Sequence, residues 1–140
     1  MYNYSEHHHA ITTLAGRFFR SLDERRIDDE WARRFLTEKV RFVTPIGATE
    51  GAADAARLFA DALARFDRTQ HVAADVLVDV EPDGERATAS WNALMMHVKP
   101  DSTLFTVGGR YETELVRTPQ GWRFDQVSAE QIWTTGEPPA

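Results

Sequence analysis

Apolar residues recur at helical spacing through the first third of the chain. Between about His7 and Arg25 they fall at Ile11, Leu14, Ala15, Phe18, Phe19 and Leu22. That spacing makes one stripe along a helix, with Arg17, Arg20 and Ser21 facing away. Asp28, Asp29 and Glu30 then open a second, short helix through Trp31 and Phe35, with acids at its positive end. Val40 to Thr44 alternates and stops at Pro45, which predicts a short strand. Gly51 starts a third helix whose inward side is Ala55, Leu58, Phe59, Ala62, Leu63 and Phe66.

From Thr69 onward the period changes to two. Thr69 to Val80 reads as one strand, Pro82-Asp83-Gly84 as a turn, and Glu85 to Val98 as the returning strand. Lys99 to Ser102 turns again into Thr103 to Arg117, and Thr118 to Gly121 turns into Trp122 to Trp133. These segments run to about 12 to 15 residues against a usual 5 to 6. Strands of that length bend at bulges, and Gly108-Gly109 is the expected bending point. The pattern predicts an α+β domain, about three N-terminal helices packed on one face of a long, strongly curved, mostly antiparallel sheet. No repeat or linker interrupts it, so residues 1–140 are expected to form a single domain, with Glu137 to Ala140 as a frayed tail.

Composition narrows the function. The 16 basic residues are interleaved with 22 acidic ones for a net charge of −6, which leaves no electrostatic footprint for a nucleic acid. The absence of cysteine excludes disulfides, thiolate metal sites and thiol nucleophiles. No apolar run approaches the roughly 18 residues of a membrane span, and the start MYNYSEHHH is not a signal peptide. A cytoplasmic protein with no membrane partner is the expectation. His7, His8 and His9 cannot share one helical face, so a tag remnant or a frayed helix start is expected rather than a metal site. Spaced ligand clusters, glycine-rich phosphate loops and nucleophile elbows are all missing, so no metal or organic cofactor is expected.

Three side chains remain as candidate chemistry. His71 shares its strand face with Ala73, Asp75 and Leu77, while Val72, Val76, Val78 and Val80 share the other, better-packed face. A bulge near His71 would have to re-aim it into a pocket. His97 closes the apolar row of Ala89, Trp91, Ala93 and Met95. Asp23 lies at the edge of the first helix's apolar stripe, badly placed for the helix dipole but able to reach a cavity. Surface or structural histidines and a solvated helix-end acid fit the same pattern.

The order of elements, together with Ser21-Leu22-Asp23 before Ile27-Asp28, Thr69-Gln70-His71, and Gly121-Trp122-Arg123-Phe124 before Ile132-Trp133, resembles the nuclear transport factor 2-like superfamily. The nearest branch it resembles is that of scytalone dehydratase and the SnoaL-like polyketide cyclases. The resemblance implies a cone-shaped barrel with a deep pocket between helices and sheet. It places the family's catalytic aspartate at Asp23 and its histidines at His71 and His97. It also implies a homodimer with sheets back to back. The implied reaction is proton removal beside a ketone of a small polyketide-like or aromatic compound, followed by loss of a β-hydroxyl as water, or by cyclisation or isomerisation. Histidine suits such work, its ordinary pKa being about 6.5.

An apolar, aromatic pocket wall is expected from Phe19, Leu22, Phe42, Trp91, Met95 and Tyr111, with Thr44 beside them. The sequence departs from the dehydratase where that enzyme has two tyrosines that polarise the carbonyl: Leu22 and a position near Thr44 take their places. A pocket serine of the family falls near Tyr111, a possible replacement hydroxyl. The same fold also serves as a non-catalytic binding or assembly subunit, such as the small subunit of ring-hydroxylating dioxygenases, and fold alone does not choose between them.

Overall fold

Side-chain caps set the helix boundaries in the computed structural model, which describes residues 3–140. The Asn3 side chain accepts from the Glu6 N–H at 3.0 Å, so helix α1 (Tyr4–Glu24) starts a few residues before the expected His7. The histidine triplet is thus neither a frayed end nor a loose tag. His7 packs edge-on against the Trp122 indole at 5.5 Å, and its Nδ1 accepts the indole N–H at 3.2 Å. Arg25, at φ 66° in the left-handed region, ends α1. Asp28 accepts from the Trp31 N–H at 2.9 Å and opens α2 (Asp29–Phe35), with Asp29 and Glu30 in its first turn and Arg33 and Arg34 in its last.

The strands are β1 (Leu36–Thr44), β2 (Gly47–Glu50), β3 (Arg68–Val80), β4 (Arg86–Val98), β5 (Leu104–Thr118) and β6 (Gly121–Thr135); helix α3 (Ala52–Leu63) lies between β2 and β3. They form one six-stranded sheet in the order β2-β1-β6-β5-β4-β3. Neighbours are antiparallel except β1 and β6, which run parallel. The sheet is open, with β2 and β3 as its edges, so the cone is not a closed barrel. Two features differ from the sequence expectation. β1 begins at Leu36 rather than Val40, because Leu36 pairs with Phe124 of β6 ahead of a register shift. Pro45-Ile46 is a tight turn into β2, a strand too short and polar to show in the pattern.

One face of the sheet carries the helices and the core. Phe18, fully buried, is its hub: the rings of Phe19, Trp31, Phe35, Phe59 and Phe124 lie within 6.2 Å. Phe18→Ala should destabilise the fold by about 3–5 kcal/mol, since the surrounding rings cannot collapse into the space. Urea unfolding measures this; a loss under about 1 kcal/mol would mean that the hub is loosely packed.

The bulge that His71 needs is present in β3. Ala74 pairs with Asn92, but Leu77 pairs with Ser90, so β3 spends one extra residue there, with Asp75 at φ 57°. The extra residue flips the alternation. His71 and Ala73 share the inward face with Val76, Val78 and Val80, while Leu77 and Val72 are exposed. A second shift falls between Gly108 and Gly109, the expected bending point. A Cβ on Gly108 would sit 2.2 Å from the Trp133 ring, which is why that position stays bare.

Candidate active site

Arg25 sets the depth at which α1 ends. Its guanidinium donates to the carbonyls of Leu63, Phe66 and Asp67, tying the end of α1 to the chain entering β3. Asp23 is thereby held beside the first residues of that strand. Its Oδ2 accepts the His71 backbone N–H at 2.9 Å, and its Oδ1 accepts the Thr69 hydroxyl at 2.9 Å. Oδ1 also meets His71 Nδ1 at 2.7 Å. These donors offset the unfavourable position of an anion at a helix C-terminus. Burial opposes ionisation of Asp23, but hydrogen bonds from the His71 ring and backbone N–H, electrostatic attraction to that ring and the Thr69 hydroxyl outweigh it and lower its pKa.

A carboxylate only accepts, so the ring nitrogen facing it carries the hydrogen. His71 therefore has Nδ1–H toward Asp23, and its neutral ring has a bare Nε2. The side chain is only 5% exposed and lines a cavity of about 270 Å³ between the sheet and α3. His97 lines the same cavity, with its ring 5.9 Å from that of His71 and packed against Phe66 at 4.4 Å, tilted by 39°. Its Nδ1 lies 2.9 Å from the Phe105 carbonyl oxygen, a pure acceptor, which leaves Nε2 of the neutral ring without a hydrogen. Burial pushes the His97 pKa down; the Phe105 carbonyl and Asp23 pull it up, His71 pushes it further down, and the net direction is downward.

Thr44, Met95 and Tyr111 also stand in the cavity wall. Phe19, Leu22, Phe42 and Trp91 do not. They are almost wholly buried in the core, because the largest side chains of the inward faces pack on one another rather than on open space. Phe19 still touches the site from behind, its ring 5.5 Å from His71 and 4.9 Å from Tyr111. Sequence reasoning missed Phe105 and Val107 as wall residues; the signal was their place on β5, where Phe105 pairs with His97 and Val107 with Met95. Pro138 and Pro139 line the cavity as well, and Arg65 donates to the Pro139 and Ala140 carbonyls. The tail is therefore placed against the site rather than frayed.

Both shifted groups make the unfolded chain the better proton acceptor in acid. The His97 contribution is present above its ordinary 6.5 and is lost as pH falls through its lower native value. The Asp23 contribution is present above 3.8 and is lost as pH falls through its own lower native value. Urea midpoints should drop as pH is taken from 7 to about 4, and His97→Gln should flatten the upper part of that slope. Stability rising on acidification would contradict both assignments.

The fold is thus an α+β sheet under three helices, with a cavity lined by a histidine that an aspartate contacts. The chain belongs to the SnoaL-like domain family, whose model matches residues 3–128. No curated protein matches the sequence. Among solved structures it is similar to a candidate aromatic ring hydroxylase from Novosphingobium aromaticivorans (23% identity, 97% of this chain and 96% of that one, TM-score 0.86). A candidate scytalone dehydratase from the same organism is similar at 18% identity, over 94% of this chain and 89% of that one, with a TM-score of 0.81. A type 2 hexachlorocyclohexane dehydrochlorinase, LinA, is similar at 15% identity, over 91% and 86%, with a TM-score of 0.78. At these identities the likeness is one of fold. Among the described residues no helix is long and apolar enough to cross a membrane, and no group of three or more His, Asp or Glu side chains is arranged to hold a metal.

Proposed function

We propose that the protein is a cofactor-independent acid–base enzyme, a dehydratase, cyclase or isomerase, acting on a small polyketide-like or aromatic carbonyl compound. The observation that carries this reading is the 2.7 Å contact between Asp23 and a His71 ring that opens on a largely apolar cavity. His71 Nε2 takes the proton beside the carbonyl; the C–H bond breaks, an N–H bond forms, and the electron pair passes to the carbonyl oxygen. Asp23 offsets the imidazolium charge and holds the tautomer. When the enolate collapses and expels the β-hydroxyl, His71 returns the proton and water leaves. His97, whose neutral ring has a bare Nε2, suits accepting a hydrogen bond from a substrate hydroxyl. The named similarity to a dehydratase and a dehydrochlorinase supports an elimination.

The test needs no natural substrate. 1-Tetralone incubated in D2O should exchange its α-hydrogens faster with the protein than without, followed by NMR, and His71→Ala should remove the gain. No acceleration with this or related aryl ketones would favour the second reading, a non-catalytic binding or assembly subunit. The similarity to a candidate aromatic ring hydroxylase supports that alternative; two histidines lining one cavity, one of them held by Asp23, count against it.

The outer sheet face supports a homodimer. Val72, Leu94, Ile132 and Trp133 are exposed there around one shallow hollow, and stable pairs bury about 1,200–2,000 Å². Sedimentation should give a species of twice 15.9 kDa, and Ile132→Asp should shift it to the monomer. A wild type that sediments only as monomer at micromolar concentration would contradict the pairing.

A further inference from the structure

The Tyr111 hydroxyl is not used by the fold. The residue is 4% exposed and faces inward from β5, paired with Trp91 on one side and Ala129 on the other. Its ring is held by stacking on Trp91 (5.4 Å, 7°) and by the Phe19 ring set edge-on at 4.9 Å. Ring contacts are all it makes: among the described residues its hydroxyl has no hydrogen-bond partner. The oxygen is not one of the sealed, unpartnered polar atoms, which among the described residues are Thr12 Oγ1, Thr49 Oγ1 and Trp91 Nε1, so it keeps contact with open space. Here the residue stands in the wall of the His71 cavity, so a bound molecule would supply the partner.

Elimination points the same way. The other interior donors of the wall are already engaged. The Thr44 hydroxyl donates to the Gly47 carbonyl at 3.0 Å, His71 Nδ1–H faces Asp23, and His97 Nδ1–H faces Phe105. Arg65, Glu130 and Gln131 are exposed at the rim. Among the described residues that leaves the Tyr111 O–H as the uncommitted donor of the cavity wall, the unpartnered Trp91 Nε1–H being sealed in the core and outside that wall. Its position relative to the base is fixed by Phe19, whose single ring is edge-on to both His71 and Tyr111. Burial raises the Tyr111 pKa, which keeps the phenol protonated and able to donate.

We propose that Tyr111 donates its phenolic hydrogen to the substrate oxygen that gains charge as His71 removes the proton, so that the site selects flat compounds carrying an enolisable carbonyl or a phenolate-like oxygen. This rests on the acid–base reading above and adds the group that stabilises the oxyanion. The carbonyl polarisation that the sequence leaves open at Leu22 and Thr44 is thereby supplied from β5.

Tyr111→Phe tests it, because phenylalanine keeps the ring and its stacking and removes only the hydroxyl. The probes are 4-nitrophenolate, at a pH where it is ionised, and nitrobenzene, which has the same ring without the oxyanion. Wild type should hold the phenolate more tightly than nitrobenzene. Tyr111→Phe should weaken the phenolate by about tenfold to a hundredfold, the range of a hydrogen bond to a charged oxygen, and change nitrobenzene less than about threefold. Equal phenolate affinity in the two proteins, equal losses for both probes, or no phenolate preference in wild type would overturn the inference. Ketone exchange separates the claims. Exchange that depends on His71 while phenolate binding ignores Tyr111 overturns this inference alone. Tyr111-dependent phenolate binding without any exchange supports the donor and sinks the acid–base reading.

Discussion

His71→Ala is expected to cut catalysed proton removal by about 10² to 10⁴, the usual worth of a positioned general base. The cavity holds no substitute in the same state. His97 also has a bare Nε2, but burial disfavours the charge it would acquire as a base, and its other nitrogen faces a carbonyl rather than a carboxylate. The fold should survive, because His71 sits in the cavity wall and its backbone, not its ring, pairs with Met95 in the sheet. Exchange of α-hydrogens followed by NMR reads the effect. A loss below about threefold would remove His71 from the chemistry.

Asp23→Asn should cost nearly as much while changing one atom. The carboxylate accepts three hydrogen bonds, two on Oδ1 from Thr69 and His71 Nδ1 and one on Oδ2 from the His71 backbone N–H. The backbone donor cannot reverse. An asparagine that keeps it satisfied must turn its NH2 toward His71 Nδ1, which forces the hydrogen onto Nε2 and abolishes the base. The opposite orientation keeps the tautomer but sets two donors against each other at the strand start. Thr69 adapts to either, since a hydroxyl both donates and accepts. Loss of the right tautomer in a serine protease costs about 10⁴ in rate, and a fall of about 10² to 10⁴ is expected here. A folded Asp23→Asn protein with full exchange activity would mean that Asp23 serves the strand and not the base.

The helices and long strands were legible because their periods are strong and their ends are marked by Asp28, Pro45, Gly84 and Gly121. β2 was not, being four residues of mixed character that exist only through pairing with β1. The inward turn of His71 needed a bulge, and nothing local in Ala-Asp-Val says that Asp75 adopts a positive φ. The sequence therefore showed that a bulge was required without showing where. The pocket wall was half legible. Met95 and Tyr111 follow from strand alternation, whereas Phe19 and Trp91 carry the same inward signature and end in the core. Whether an inward side chain meets a cavity or another ring depends on packing between elements, which no single-strand pattern encodes. The tail was misread for the same reason, since its partner, Arg65, lies in another part of the chain.

The central claim is that Asp23 and His71 act as one catalytic unit. A double-mutant cycle on the exchange rate, using wild type, Asp23→Asn, His71→Ala and the double variant, tests it most directly. Once the base is gone its orienting carboxylate has nothing left to orient. The double variant should therefore be within about threefold of His71→Ala, although each single change alone costs about 10² or more. Losses that multiply in the double variant would show two independent groups and contradict the account.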